Sequence, residues 1–237
     1  MIALVINVGY KENYLFNHIE VEIDQLKRKN TDKGRRYETP DGRLYPSVTT
    51  ILSHKSKPYI DAWKKKIGEA EANKISSRAA KRGTSMHKLV EYHLLNETNL
   101  HEEGVQSLDL LDKEMYMNNM KPLLSDIDNI RALEATMYSD HLRLGGQADC
   151  IAEYKGRLSV IDFKTSNKRK TRSQCYNYFI QCSAYAIMFE ERTGIPVDQT
   201  VILMAQQDDG PAVFTATRDE FVPKLLDARD DYELAQL

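Results

Sequence analysis

Hydrophobic and polar residues follow two different periods along the chain. Between about residues 55 and 121, apolar residues recur every three or four positions, which predicts helices. From about residue 131 onward, short runs rich in β-branched and aromatic residues alternate with turn residues, which indicates strands. The predicted order of this second part is strand, strand, strand, helix, strand, strand, helix. The pattern therefore predicts a mixed α/β core preceded by a mainly helical part.

The front part carries several signals for secondary structure. A strand or two and the turn Pro40-Asp41-Gly42 are expected in the first 45 residues. Pro58 suits the first turn of a helix, and a long helix follows it. Another helix is expected from about Ser107 until Pro122 ends or kinks it. The apolar stripe predicted for the long helix comprises Ile75, Ala79, Met86, Val90 and Leu94.

Length and composition favour one globular unit. With 237 residues, 41% of them hydrophobic, the chain suits a single domain over residues 1–237. We expect residues 1–128 to form the mainly helical front part with N-terminal strands. Residues 129–237 are expected to form the α/β core, with a helix from Tyr178 to Thr193 that ends at Gly194.

A hairpin in the core is the most informative local feature. Strands on either side of Tyr154-Lys155-Gly156-Arg157 would pair through a two-residue turn. In that register Asp149 lies directly opposite Asp162, and Lys164 projects from the same face because strand side chains alternate. Like charges held so close repel unless one is protonated or a cation lies between them.

Two acids and a lysine at one point are the parts of a divalent-metal phosphodiesterase site. Asp149 and Asp162 supply hard oxygen ligands for Mg²⁺ or Mn²⁺. Lys164 could hold the attacking water and offset charge that develops on the phosphate. An Asp-x-Lys sequence alone is more often a surface ion pair, and the facing Asp149 strengthens the catalytic interpretation.

Four further residues are candidates with ordinary alternatives. Gln181 and Tyr185 lie four apart on one helix face and could contact Lys164, the water or the phosphate; a core tyrosine with a polar neighbour is the alternative. Glu134 could be an additional metal ligand or a supporting acid, or an ordinary exposed glutamate. His87 lies beside the apolar stripe of its helix, where a lone histidine is more often packed or capping than ligating.

Charge distribution adds a possible partner. The net charge is −2, but basic residues cluster in residues 27–36, six against one acid, and in residues 55–82, nine against three. A third run, Lys168, Arg169, Lys170 and Arg172, follows the Asp-x-Lys sequence directly. Each run alone is typical of a solvated surface, whereas the three together indicate a track for a polyanion such as DNA.

Other sequence features bear on location. Cys150, Cys175 and Cys182 form an odd, sparse set without paired metal spacing, which favours a reducing compartment and no disulfide framework. The first fourteen residues lack the basic region and cleavage site of a secretory signal, and no apolar run has the length of a membrane span. We expect a cytoplasmic protein of a bacterial or phage-infected cell.

An ordered set of motifs resembles a known family. The core motifs are EATMYS (134–139), GQADCIA (146–152), VIDFKTS (160–166) and QCSAYA (181–186), and the front motifs are YPSVTTIL (45–52), WK (63–64) and GTSMH (83–87). Together they resemble the RecB-like branch of the PD-(D/E)XK nucleases, with greatest similarity to the mitochondrial genome maintenance exonucleases and their phage and bacterial relatives. The resemblance implies a restriction-endonuclease-like α/β core, a mixed central sheet flanked by helices, with an N-terminal helical arch.

The resemblance also implies roles for individual residues. His87 would be a helix-borne metal ligand, which reverses the weighting above, and Asp149, Asp162 and the main-chain carbonyl of Phe163 would bind Mg²⁺ or Mn²⁺. Lys164 would be catalytic, and Gln181 and Tyr185 would position the site or the DNA. An iron–sulfur cluster is not expected, because the three cysteines do not match the spacing of the iron–sulfur relatives.

These observations lead to one principal hypothesis and two alternatives. The principal one is a Mg²⁺-dependent DNA exonuclease that prefers single strands and acts in repair, recombination or replication, with replication or recombination proteins as possible partners. Its arch would guide the strand, with Tyr59, Trp63 and Tyr92 as candidate base-stacking residues, although such aromatics are more often core. The alternatives are a flap endonuclease with the same site and a non-catalytic nucleic-acid-binding protein.

Overall fold

A computed structural model of the protein describes residues 15–236. It begins with a small antiparallel sheet, followed by a five-stranded sheet in which only β6 and β7 pair in parallel. The small sheet comprises β1 (Lys27–Thr31), β2 (Gly34–Glu38) and β3 (Leu44–Pro46). The large sheet has the order β4 (Ile127–Ser139), β5 (Leu144–Tyr154), β6 (Arg157–Ser166), β7 (Gln199–Gln206) and β8 (Gly210–Thr217).

Helices cover both faces of the large sheet and bury two apolar clusters against it. One cluster contains the helix that crosses over from β6 to β7, and the other contains the C-terminal half of the long helix of the front part. The helices are α1 (Val48–Ile67), α2 (Glu69–Leu94), α3 (Thr98–Gln106), α4 (Leu110–Met115), α5 (Lys121–Leu124), α6 (Tyr176–Thr193) and α7 (Arg218–Leu234); a π-helical turn, Tyr116–Met120, joins α4 to α5, and a 3₁₀ turn, Arg172–Cys175, precedes α6. The predicted mixed α/β fold with a sheet flanked by helices is confirmed.

The hairpin between β5 and β6 has the predicted register. Tyr154 pairs with Arg157, and the ladder continues to Cys150 opposite Ile161. Lys155 and Gly156 both have positive φ values, 52° and 78°, as the tight turn requires. Beyond Cys150 the ladder ends, and the backbone N–H of Phe163 donates to Oδ2 of Asp149 at 3.0 Å. The two strands separate there, so a side chain replaces the main-chain partner.

The predicted first residue of the first helix was wrong. α1 begins at Val48, ten residues before Pro58, which lies inside the helix. Ser47 determines this start, because its side chain accepts a hydrogen bond from the N–H of Thr50 at 3.0 Å. A serine in this position supplies a partner for an N–H group that the helix itself cannot satisfy.

The predicted stripe of the long helix is only half buried. Met86, Val90 and Leu94 of α2 are buried, but Ile75 is 42% exposed and Ala79 is exposed as well. No residue of α2 before Met86 belongs to either apolar cluster, so the helical periodicity of its N-terminal half does not correspond to a face buried on the sheet. The helix predicted from about Ser107 begins at Leu110, where Asp109 caps it through the N–H of Asp112, and it continues through the π-helical turn and α5 to Leu124, two residues beyond Pro122.

The C-terminal half of α1 and the N-terminal half of α2 form an exposed helical pair. Nearly all side chains between Ser53 and Lys81 are exposed or half-buried, and Ala72 is the buried exception. This pair lies where the sequence predicts an arch; passage of DNA beneath it stays a prediction. Within residues 15–236, no helix is both long and apolar enough to cross a membrane. The predicted lack of a secretory signal concerns residues 1–14, outside the described residues.

A pair of histidines between α2 and α3 is expected to make stability depend on pH. The rings of His93 and His101 are 4.8 Å apart. Burial, followed by the charges of His101 and Lys121, lowers the pKa of His93 to about 4. An unfolded histidine titrates near 6.5, so between these values only the unfolded chain binds the proton. The free energy of unfolding should therefore fall as the pH drops from about 6.5 toward 4, by up to about 3 kcal/mol.

Urea unfolding at pH 7.5 and pH 5 measures this effect. His93→Gln removes the titrating group, so its stability should change less between the two pH values than that of the wild type. His141→Gln, at an exposed histidine, is the matched control and should keep the full dependence. An unchanged pH dependence in His93→Gln would contradict the assignment.

Candidate active site

Asp149 and Asp162 lie on the neighbouring strands β5 and β6, and their carboxylates approach one point. Nζ of Lys164 is 2.5 Å from Oδ1 of Asp162 and 4.0 Å from Oδ2 of Asp149. The main-chain oxygen of Phe163 lies 3.5 Å from the same Nζ. Oxygen atoms of three residues that the sequence named as metal ligands therefore lie around one ammonium group.

Because the two aspartate side chains are buried, their charges interact strongly with each other and with that of the lysine. Asp162 is 2% exposed and Asp149 is 8% exposed. Burial raises the pKa of Asp162; Lys164 opposes this shift and the charge of Asp149 adds to it. Burial also disfavours the charge on Lys164, but Asp162 and Asp149 outweigh it and raise the pKa of the ammonium. Lys164 is therefore held in its cationic form by the two carboxylates.

His87 reaches this group from α2. Its Nδ1 is 3.6 Å from Oδ2 of Asp149 and 3.6 Å from Oε1 of Glu134. One ligand atom from each of His87, Glu134 and Asp149 lies within 4.8 Å of the others, as in a set that could hold a metal ion. Burial lowers the pKa of His87, but the nearby carboxylates of Glu134 and Asp149 outweigh it and raise the pKa. The structure thus places His87 beside the acids rather than in the apolar core.

Glu134 adopts an unusual backbone conformation inside β4. Its φ is 48°, although its neighbours Leu133 and Ala135 pair regularly with Cys150 and Ala148 of β5. A non-glycine residue in this region costs free energy, and such strain clusters at functional sites. Gln147 holds the strained residue, since its Nε2 donates to the Glu134 side chain at 2.8 Å and to its main-chain oxygen at 3.1 Å.

The helix α6 supplies the other predicted residues. Nε2 of Gln181 donates to Oδ1 of Asp162 at 3.3 Å, so Gln181 contacts the buried acid rather than Lys164. Tyr185 is 3% exposed and packs against Gly146. Tyr178, one turn before Gln181, places its ring 5.1 Å from Nζ of Lys164, a cation–π contact that the sequence did not reveal.

A cavity of about 340 Å³ opens beside these residues. Its lining includes His87, Glu134, Asp149, Lys164 and Tyr185, all named as site residues from the sequence. No site role was predicted for four further lining residues, Arg35 and Tyr37 of β2 and Ser47 and Thr49 at the start of α1. No local pattern indicated Arg35 and Tyr37, because they come from a separate sheet, whereas Ser47 and Thr49 belong to the front motif YPSVTTIL. Gln147 was also missed, although its position two residues before Asp149 on one strand was a usable signal.

Gly146 is required by the packing of Tyr185, which leads to a testable prediction. A Cβ atom at position 146 would come much closer to the Tyr185 ring than van der Waals contact allows. The ring is buried, so Gly146→Ala should lower the free energy of unfolding by about 1–3 kcal/mol.

Thermal or urea unfolding of Gly146→Ala tests the expectation, with Gly83→Ala as a matched control. Gly83 lies in α2, where an added Cβ meets nothing within 4 Å. A helical glycine replaced by alanine without a clash is expected to gain about 0.5–1 kcal/mol. Equal stability changes in the two variants would show that the close contact with Tyr185 has no energetic consequence.

The donor set fits a hard divalent cation. Among the described residues, Oδ2 of Asp162 is fully buried and has no hydrogen-bond partner, which is costly for a carboxylate oxygen. Carboxylate and main-chain oxygens with one histidine are suitable ligands for Mg²⁺ or Mn²⁺. The position of Lys164 supports the same interpretation. Its positively charged ammonium group lies among three of these oxygens, as a metal ion would.

Comparison with known proteins identifies the family of the chain. Residues 58–235 match the family model of the PD-(D/E)XK nuclease superfamily. Three curated relatives are each named mitochondrial genome maintenance exonuclease 1. The mouse protein is 31% identical over 180 residues, which cover 70% of this chain and 51% of that protein. The human protein is 30% identical over 71% of this chain and 51% of its own length, and the Xenopus tropicalis protein is 28% identical over 70% and 50%.

The extent of these similarities is limited. The chain spans about half the length of the curated relatives it matches. A solved structure from Eubacterium rectale, provisionally assigned as an exonuclease, covers 65% of this chain and 68% of its own, with a TM-score of 0.40 and 10% identity. That structural likeness is too low to carry an argument about the site.

Proposed function

The chain belongs to the PD-(D/E)XK nuclease superfamily, and from this premise we propose that it is a deoxyribonuclease dependent on Mg²⁺ or Mn²⁺. The family match supports a nuclease function. The observation that carries the proposal is the approach of Asp149, Asp162 and the Phe163 carbonyl to Lys164 at the wall of one cavity. If Asp162 served only in an ion pair with Lys164, its second carboxylate oxygen would not need to be buried without a hydrogen-bond partner.

The metal ligands are assigned to the residues that already lie together. His87, Asp149, Asp162 and the main-chain oxygen of Phe163 would hold the ion, and Glu134 is close enough to His87 to join them or to orient its ring. The bound ion would supply Lewis-acid stabilisation at a non-bridging phosphate oxygen and make water a better nucleophile. Gln181 would keep Asp162 oriented through its 3.3 Å hydrogen bond.

Lys164 has the protonation state that its proposed catalytic role requires. Its raised pKa keeps Nζ protonated, so it acts as a hydrogen-bond donor rather than as a base. It can hold the attacking water and stabilise negative charge as the phosphate becomes pentacovalent. Tyr185 lines the same cavity and would limit the positions that a phosphodiester can take there.

The substrate proposal is a free end of single-stranded DNA. The named relatives are exonucleases, and the exposed pair formed by α1 and α2 is rich in lysine and could follow a strand. Tyr59, which is 79% exposed on α1, is available to stack on a base. Removal of nucleotides from ends suits DNA repair, recombination or replication. A flap endonuclease with the same catalytic residues is the second candidate.

End-labelled single-stranded and double-stranded oligonucleotides, incubated with Mg²⁺, Mn²⁺ or EDTA, test the proposal. We expect mononucleotides or short products from the single strand with either ion and no products with EDTA. A circular single strand should resist digestion. Cleavage of the circle would favour the endonuclease, and absence of cleavage of every DNA substrate with either metal would contradict a catalytic function.

A further inference from the structure

The hairpin formed by β1 and β2 has two chemically different faces. Its register pairs Arg28 with Tyr37 and Asn30 with Arg35, and cross-strand partners project to the same side. That side, here called the arginine face, therefore carries Arg28, Asn30, Arg35 and Tyr37. The other side carries Lys27, Lys29, Arg36 and Glu38. The basic run of residues 27–36 is thus divided between two surfaces.

The arginine face is continuous with the active-site cavity. Arg35 and Tyr37 line that cavity together with Asp149 and Lys164. Tyr37 is 1% exposed and packs against Gly145 of β5, four residues before Asp149. From this buried tyrosine the face continues outward through Arg28, Asn30 and Arg35, which are all exposed.

The hairpin is also held in a fixed position. The main-chain oxygen of Arg35 accepts hydrogen bonds from the N–H of Ser47 at 2.9 Å and from the hydroxyl of Thr50 at 3.2 Å. At the tip, the hydroxyl of Tyr232 donates to the main-chain oxygen of Lys33 at 3.2 Å. Before β1, the N–H of Leu26 donates to the hydroxyl of Thr136 on β4 at 2.7 Å. The arginine face is therefore preorganised beside the site, which reduces the entropic cost of binding.

The two faces differ by one ion pair. Within residues 15–236, neither Arg28 nor Arg35 has a carboxylate within 4.0 Å, whereas Lys29 on the opposite face pairs with Glu38 at 2.9 Å. Uncompensated guanidinium groups beside a phosphodiester-cleaving site attract phosphates and can bind them bidentately. Arg28 and Arg35 are diagonal neighbours on the ladder, about 7–8 Å apart at the backbone, so each can contact a different phosphate of one strand.

We propose that the arginine face binds the phosphate backbone of the substrate strand on one side of the scissile bond. The inference rests on the proposed nuclease function and adds a binding surface to it. Arg35 would contact the phosphate nearer the cavity and Arg28 a phosphate farther along, while the Asn30 amide can donate to the same backbone. Such contacts do not depend on base sequence, as a nuclease that degrades DNA from its ends requires.

The test compares two double variants with the same change in charge. Arg28→Gln/Arg35→Gln alters the arginine face, and Lys27→Gln/Lys29→Gln alters the opposite face of the same strands. Binding of a fluorescent single-stranded 20-mer is measured with Ca²⁺ over a series of salt concentrations, alongside cleavage kinetics with Mg²⁺. Calorimetric titration with Mn²⁺ checks that the metal site of both variants is intact.

We expect the arginine variant to bind the 20-mer about 10- to 100-fold more weakly and to raise KM more than it lowers kcat. The slope of log K against log salt should become shallower by about 1.4, since each lost single-strand phosphate contact removes about 0.7. The lysine variant should change both quantities much less. The loss in the arginine variant should shrink as the oligonucleotide is shortened, because short strands cannot reach Arg28.

Two results would overturn the inference: equal losses in both double variants, or wild-type affinity in the arginine variant. The proposed nuclease function fails in a different way. If the wild-type protein cleaves no DNA with any metal, the catalytic proposal is lost, yet the binding comparison still decides whether the arginine face contacts the strand.

Discussion

Replacing Asp162 by asparagine is expected to lower the rate of DNA cleavage by at least about 10³-fold, comparable with removing one strong stabilising contact from a transition state. Asparagine keeps the shape of the side chain but loses the negative charge of a buried metal ligand. Oδ2 of Asp162 has no hydrogen-bond partner among the described residues, and its Oδ1 is shared between Lys164 and Gln181. The substitution therefore removes the carboxylate oxygen that is most clearly available to a cation.

Single-turnover cleavage of an end-labelled strand measures the effect, and titration with Mn²⁺ should show weaker metal binding by the variant. Circular dichroism and thermal unfolding establish that the protein remains folded. Asp208→Asn, at an exposed aspartate outside the cavity, is the control and should cleave DNA at nearly the wild-type rate. Wild-type activity in Asp162→Asn would remove the basis of the site assignment.

Lys164→Met is expected to lower the cleavage rate by about 10²- to 10³-fold without weakening metal binding. Methionine keeps much of the length of the side chain but cannot carry charge or donate a hydrogen bond. Nζ of Lys164 occupies the position where oxygen atoms of Asp149, Asp162 and Phe163 meet, so the ammonium and a divalent ion compete for the same oxygens. Removal of the ammonium should therefore leave the affinity for Mn²⁺ unchanged or increase it.

The metal-free form of this variant should be less stable. Without Lys164, two buried carboxylates lose their nearest cation, and breaking a buried pair in this way costs about 3–5 kcal/mol. Added Mn²⁺ should recover most of that loss in unfolding experiments. Lys224→Met, at an exposed lysine of α7 outside the three basic runs, serves as the control. Loss of Mn²⁺ binding in Lys164→Met would assign Lys164 a structural role in place of a catalytic one.

The opposite behaviour of the two variants separates metal binding from catalysis. Asp162→Asn should weaken both metal binding and cleavage, whereas Lys164→Met should weaken cleavage alone. A structural ion pair between Asp162 and Lys164 would predict similar defects in the two variants, because each removes one half of the same contact.

Local sequence was sufficient for the part of the site on the hairpin. The turn at Lys155-Gly156 determines the pairing of β5 with β6, and the two-residue period of a strand then places Asp149, Asp162 and Lys164 on one side. Helical spacing likewise placed Gln181 and Tyr185 on one face of α6. These relations act over a few residues, so periodicity and turn chemistry define them without knowledge of the rest of the fold.

Only the tertiary structure determines which surfaces of distant segments pack together. His87 stands one helical position from an apolar stripe, and only the packing of α2 against the sheet brings it to Asp149. The exposure of Ile75, the positive φ of Glu134 and the presence of Arg35 in the same cavity as Asp149 also depend on contacts between distant segments. Periodicity states which side chains share a face, but contacts between distant segments determine what that face touches. The sequence by itself therefore identified two acids and a lysine on one strand pair, and the fold added the helix and the second sheet that complete the cavity.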